Sequence, residues 1–285
     1  MRNGIEQDAL TRRGFLLTGT AAVTAMRALP ADPACVLTPE GEEGPYYVDY
    51  RKVRGNLTEG KPGVPMRLRI NVVDSKTCAP LPDAAVDIWH CDASGVYSGF
   101  TAMSPDGGGQ GGPRGPGRGF RSGMRRGPLL DEADGGRGID ETRFLRGVQL
   151  SNKAGATEFS TIYPGWYVGR AIHVHMKVRV AGAVAGDTVA GGHVSHTGQI
   201  YFPEDVTERI AKLEPYAKRL DIHRTTQAED NIFRSQHGDL CVAKMSRLES
   251  RSDEGGFLAT VTLAVDPNAT PAPVGMGGGR GRGRG

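Results

Sequence analysis

No two of the four cysteines, Cys35, Cys78, Cys91 and Cys241, are spaced as Cys-x-x-Cys. That removes the usual zinc-ribbon and dithiol frameworks and leaves one or two disulfides as the expected use of an even count, with the pairing open. No apolar run is long enough to cross a bilayer, so no membrane span is expected in the mature chain. There is no internal repeat. Two Gly/Arg-rich tracts, residues 106–138 and 275–285, carry no interleaved aromatics apart from Phe120, so a stacking platform for single-stranded nucleic acid is missing. Nor is the remainder basic. The six Arg against four acids of 106–138 and the three Arg of the tail together exceed the whole net charge of +3. No specific nucleic-acid partner is expected.

The same tracts cannot bury enough apolar surface to offset their ordering entropy. They are read as a flexible insertion (106–140) and a disordered tail (269–285) on one domain, 35–268, whose core a hydrophobic content of 38% can supply. At the N-terminus, Thr11-Arg12-Arg13-Gly14-Phe15-Leu16-Leu17 leads into an acid-free stretch of small residues ending at Met26. It resembles a twin-arginine export signal, assigned to 1–34 with its linker. That assignment implies the Tat machinery as a partner and a periplasmic or extracellular location.

Period-two alternation dominates the rest. In Val64-Pro65-Met66-Arg67-Leu68-Arg69-Ile70-Asn71-Val72, the residues Met66, Leu68, Ile70 and Val72 share one face. Residues 84–91, 144–150, 158–162, 171–180 and 257–265 behave similarly, and turn signals such as Tyr163-Pro164-Gly165 separate them. The expectation is a mainly β fold: a β-sandwich of mixed and antiparallel strands with one short helix and long loops. The helix is expected over 204–219, with Val206, Ile210 and Leu213 on its buried face.

In Ala171-Ile172-His173-Val174-His175-Met176-Lys177-Val178-Arg179-Val180 the apolar residues alternate onto one face. His173 and His175 share the opposite face with Lys177 and Arg179. Two imidazoles at i and i+2 stand roughly 7 Å apart along a strand, near enough to converge on one metal. His-x-His alone also suits cupins and zinc enzymes. Here, however, no acid follows until Asp187, and the turns that precede the histidines are rich in tyrosine. His90 alternates in phase with Val86 and Ile88 and is read as structural, while His193 and His196 are expected in a solvated Gly-rich loop.

The run Tyr163-Pro164-Gly165-Trp166-Tyr167, followed by Arg170-Ala171-Ile172-His173-Val174-His175, resembles the metal motif of the intradiol ring-cleavage dioxygenases. The segment from Pro80 through Trp89-His90-Cys91-Asp92 to Gly95-Val96-Tyr97 is similar to the family's strand and turn that end in a first tyrosine ligand. Thr197-Gly198-Gln199-Ile200-Tyr201-Phe202 and Glu43-Gly44-Pro45-Tyr46-Tyr47 resemble its pocket segments, and all four matches fall in the family's order.

The resemblance implies one Fe(III) per chain. Tyr97 and His173 would be equatorial ligands and Tyr167 and His175 axial ones, since phenolates suit a trivalent ion. It implies O2 as co-substrate and a small aromatic diol as substrate, cleaved between its hydroxyl-bearing carbons to a muconate-type diacid. Catalytic roles would fall to Tyr167 as proton acceptor, Arg170 as a stabiliser of negative charge on the ring and Gln199 as a supporting hydrogen-bond partner. Tyr46, Tyr47 and Trp166 would line the pocket, the tyrosines from this subunit or from a partner in a homodimer.

Two features depart from the cytoplasmic members of that family: a spacer of only five residues between Tyr167 and His173, and the Gly/Arg insertion between Tyr97 and Tyr167. Both leave the particular catechol open. Two other readings compete. Pro-Leu-Pro-Asp-Ala-Ala-Val, Gly-Val-Tyr and Tyr-Pro-Gly also resemble non-catalytic carboxypeptidase regulatory-like modules, and a zinc or Fe(II) enzyme would use the His-x-His pair without the tyrosines.

Overall fold

The computed structural model describes residues 36–103, 106, 138–248 and 252–274. The expected export signal, nearly all of the 106–140 insertion and the end of the tail lie outside them. Eight strands are formed: β1 (Pro65–Asp74), β2 (Ala85–Trp89), β3 (Arg146–Leu150), β4 (Ala156–Ile162), β5 (His173–Ala185), β6 (Thr188–Tyr201), β7 (Lys244–Arg247) and β8 (Phe257–Val265). They make two four-stranded sheets, ordered β4-β1-β8-β7 and β3-β2-β5-β6. Every pairing is antiparallel except the parallel one of β1 with β8.

Alternation dictates which faces meet. Met66, Leu68, Ile70 and Val72 of β1 are buried together with Phe159 of β4 and Ala259, Val261 and Leu263 of β8. From the second sheet, Val86 and Ile88 of β2, Val174, Met176 and Val178 of β5 and Ile200 of β6 join the same core. The intervening β1 residues Arg67 and Arg69 point outward and both pair with Glu158 of β4. This is the face-to-face packing of two amphipathic sheets.

Two expectations need correction. Strand β5 does not stop at Val180 but runs to Ala185 and turns through Gly186 and Asp187 into β6, with Val184 paired to Val189 and Ala185 to Thr188. Gly186, at φ +63°, takes the left-handed corner of this two-residue turn. His193 and His196 therefore lie in a strand rather than a solvated loop, and His196 is fully buried against Glu40. The helix expected over 204–219 is shorter, α1 (Glu204–Ile210) followed by a 3-10 turn at Tyr216–Arg219. Pro215 has no N–H to donate to the Ala211 carbonyl, so the α-pattern cannot continue through it. A second short helix, α2 (Asn231–Ser235), was not expected.

Cys78 is disulfide-bonded, Cys91 and Cys241 are buried free thiols, and Cys35 lies outside the described residues. Where the insertion leaves and rejoins the domain, the Gly99 carbonyl accepts from Ile139 N (2.7 Å) and Asp140 N (3.1 Å). Asp140 Oδ2 in turn accepts from Thr101 N at 2.8 Å. These bonds form a stem at the root of the insertion.

Leu68 is fully buried between the sheets. Leu68→Ala is expected to cost about 2–5 kcal/mol in urea unfolding; a loss below about 1 kcal/mol would contradict its place in the core.

Candidate metal centre

The outer face of the second sheet carries Trp89 opposite His175 across the β2–β5 pair, and His175 opposite Gln199 and His173 opposite Tyr201 across the β5–β6 pair. The segment from Glu40 to Tyr50 covers this face. Gly41 N donates to the Thr197 carbonyl (2.8 Å), Glu40 Oε2 accepts from Thr197 N (2.9 Å), and Glu43 pairs with Lys177. Covered in this way, His173 and His175 are only 2% and 1% exposed.

Their Nε2 atoms lie 3.0 Å apart. His173 Nδ1 is 2.6 Å from the Ala171 carbonyl, which assigns the ring proton to Nδ1 and leaves Nε2 a lone pair. Burial and the nearby Arg170 charge push His173 down to about 3, while burial and His173 hold His175 well below its ordinary value. Both rings are thus neutral at physiological pH, as metal ligation requires. Two nitrogens bound side by side at about 2.1 Å from one ion would lie about 3 Å apart, so this spacing fits a shared cation.

Two phenols close the figure. Ring centroids are 4.5 Å apart for His173–His175, 5.9 Å for His173–Tyr167, 6.0 Å for Tyr167–Tyr97 and 6.1 Å for Tyr97–His175. Tyr167 Oη is 3.3 Å from His173 Nε2. Among the described residues Tyr97 Oη is buried without a hydrogen bond of good geometry, a state that calls for an explanation such as a catalytic role or a bound ion. Burial, reinforced by the neighbouring phenol, raises Tyr97 far above the usual phenol range, and burial likewise raises Tyr167.

The local sequence explains how the tyrosine turns meet. Asp92 Oδ1 accepts from Ser94 N (2.9 Å) and Val96 N (3.1 Å), shaping the turn that delivers Tyr97. The Asp92 carbonyl then accepts from Gly165 N at 3.1 Å. A Cβ on Gly165 would stand 2.6 Å from that carbonyl oxygen, so only glycine lets the turn before Tyr167 approach this closely.

Arg170 and Gln199 adjoin the cluster. Arg170 donates from Nε to Asp230 Oδ2 (3.0 Å), from Nη1 to Glu42 Oε1 (2.9 Å) and from Nη2 to Gln199 Oε1 (2.5 Å) and Tyr201 Oη (3.3 Å). Gln199 Nε2 donates to the Glu42 carbonyl at 3.0 Å. Asp230 also accepts from Ala171 N (2.9 Å) and caps α2 through Ile232 N (2.8 Å). The short link from Tyr167 to His173 is thereby held from behind, with Gly169 N donating to Thr225 Oγ1 at 2.9 Å.

Of the expected pocket residues, Tyr46 stacks on Tyr97 (4.5 Å, 16°) and meets Tyr167 edge-on. Tyr47 lies one ring further out, against Trp89, which itself stacks on His175 (5.0 Å, 4°). Trp166 packs in the main core, 2% exposed, with its Nε1 donating to the Ile222 carbonyl. His90 is structural as expected, bonded to the Cys91 carbonyl and Thr161 Oγ1. Among the described residues no group of three or more His, Cys, Asp or Glu is arranged to hold a metal, and the rings beside the two imidazoles include the phenols of Tyr97 and Tyr167. Sequence reasoning missed Glu42, Asp230, Tyr201 and the stacking of Trp89. Only Asp230, a helix-capping residue type ahead of an apolar pair, left a local signal.

No family model and no curated protein matches the chain. Solved structures do. The chain is similar to an intradiol ring-cleavage dioxygenase from Tetranychus urticae, with 29% identity, a TM-score of 0.66 and coverage of 84% of this chain and 98% of that one. It is also similar to dioxygenase Tetur07g02040, with 30% identity, a TM-score of 0.62 and coverage of 83% and 98%.

Gly44 has φ +72°, and a Cβ there would stand 3.0 Å from His175 Cε1. Gly44→Ala is expected to displace that ring and weaken metal uptake roughly tenfold or more in a titration. Burial pushes the Asp230 carboxyl up, but the Arg170 charge and the Ala171 N–H outweigh it and hold it below the usual range. Its contribution is therefore present above the ordinary Asp pKa and lost as pH falls through the lowered one. Asp230→Asn should destabilise by about 3 kcal/mol at pH 7; in urea unfolding at pH 3 the gap should narrow, and a gap independent of pH would refute the ion pair.

Proposed function

Since the chain belongs to the intradiol ring-cleavage dioxygenases, we propose that it opens catechol-type rings between the two hydroxyl-bearing carbons, giving a muconate-type diacid. One Fe(III) per chain would be held by Tyr97, Tyr167, His173 and His175. The closed figure of two neutral imidazoles and two buried phenols carries this reading. As phenolates, the tyrosines would supply two negative charges on hard oxygen, a donor set suited to a trivalent cation rather than to zinc. Bound there, the ion would draw electron density from an aromatic diol and open its ring to O2.

The chain's own groups would do the rest. Tyr167, on the short link before His173, would take a proton from the incoming diol at its phenolate oxygen. Arg170, held by Glu42, Asp230 and Gln199, would present a fixed guanidinium to negative charge developing on the ring. The half-buried ring of Tyr46 offers an aromatic wall for the substrate. Export rests on the Arg12-Arg13 segment alone, and an N-terminally processed form outside the cytoplasm is the corresponding expectation.

Protein loaded with Fe(III) should show the broad visible absorption of a ferric phenolate and should consume O2 with catechol. Tyr97→Phe and Tyr167→Phe should each shift or bleach the band, and Tyr167→Phe should lower kcat about a hundredfold or more. A colourless loaded protein without oxygen uptake on any catechol would sink the assignment.

A further inference from the structure

Arg146 is 2% exposed on β3, directly opposite Trp89, the residue whose ring stacks on His175. A buried guanidinium is costly to desolvate and is ordinarily met by a carboxylate, as Arg170 is by Glu42 and Asp230. Among the described residues no carboxylate forms an ion pair with Arg146. Its hydrogen bonds among the described residues all go to neutral acceptors. Nε donates to Ser98 Oγ (2.8 Å), and Nη2 donates both to the Ser98 carbonyl (2.7 Å) and to the Tyr46 carbonyl (2.6 Å). Nη1 is buried without a hydrogen-bond partner among the described residues. Ser98 Oγ passes the chain on to the Phe144 carbonyl at 2.6 Å. Burial drags the guanidinium down to about 10, although the Asp87 carboxyl opposes that shift.

One rigid fork thus ties the residue after Tyr97 to the backbone of Tyr46, and the rings of Tyr46 and Tyr97 are the pair stacked at 4.5 Å. An apolar side chain on β3 would fill the same space without the desolvation cost, but it would leave the two carbonyls and the hydroxyl unjoined. We propose that Arg146 is a positioning residue for the tyrosine side of the metal centre: by clamping Ser98 to Tyr46 it sets the stacked pair and hence the direction from which Tyr97 meets the metal. This rests on the ferric reading given above. It is separate from Arg170, which serves the histidine side through Gln199 and Asp230.

Arg146→Lys keeps the charge but not the fork, Arg146→Gln keeps part of the hydrogen bonding but not the charge, and Ser98→Ala removes the hydroxyl that accepts from Nε and donates to the Phe144 carbonyl. Each is compared with wild type by Fe(III) titration, by the visible band and by thermal unfolding of the metal-free protein. Both Arg146 variants should shift the band and raise the Fe(III) dissociation constant roughly tenfold to a hundredfold. Ser98→Ala should move both in the same direction by less, and it decides the matter if the Arg146 variants do not fold. Variants that unfold at lower temperature yet keep the wild-type band and affinity would show a merely structural arginine and overturn the proposal. A wild-type protein that takes up no Fe(III) would instead overturn the ferric reading, and the proposal with it.

Discussion

Arg170 sits between two carboxylates, Glu42 and Asp230, that come from opposite ends of the domain, and the integrity of the site depends on that three-part contact. Glu42 belongs to the segment covering the outer face of the second sheet, and Asp230 caps α2 and holds the backbone at Ala171 just before the first histidine. Without the joint, the cover, the strand entry and the helix would have no common anchor. Two charges buried against a third are expensive, and the gain from such an arrangement lies more in defined geometry than in net stability. Here the geometry concerns His173 and His175. Burial beneath the cover lowers both rings below their ordinary pKa and so favours their neutral form.

The fold was legible where the physics is local and periodic. Met66, Leu68, Ile70 and Val72 announced the core face of β1, and the same alternation placed His173 and His175 on the other side of β5. Local chemistry also explained His90. What could not be read were contacts between polar residues far apart in the chain. Glu40 with His196 and Glu42 with Arg170 leave no periodic trace, because a single carboxylate in an irregular segment looks the same whether it meets water or a buried cation. The extended hairpin of β5 and β6 was hidden by its glycines, and the truncation of α1 was hidden because the apolar spacing continues to Leu213 although the backbone pattern fails at Pro215. Trp166 illustrates a related limit. Its neighbours in sequence bear on the site, yet its size sends it to the core.

A β-sandwich by itself does not separate an enzyme from a binding module, since the architecture hosts both. The likeness to solved dioxygenases decides for the enzyme, and the site gives that decision chemical content. The tyrosines arrive on turns and the histidines on a strand, so on the proposed ferric reading Tyr167, which would also take a proton, would belong to the more mobile kind of element and the imidazoles to the rigid one.

The stem that joins Gly99 to Ile139 and Asp140 closes the chain on itself directly after Tyr97. Whatever length of polypeptide is inserted beyond it, the ends meet at a fixed point, and the entropy of closing such a loop rises only with the logarithm of its length, about 0.6 kcal/mol per doubling. The protein can therefore lengthen, shorten or exchange that excursion at small thermodynamic cost while the tyrosine beside its root keeps its place, which leaves the insertion open to evolutionary change.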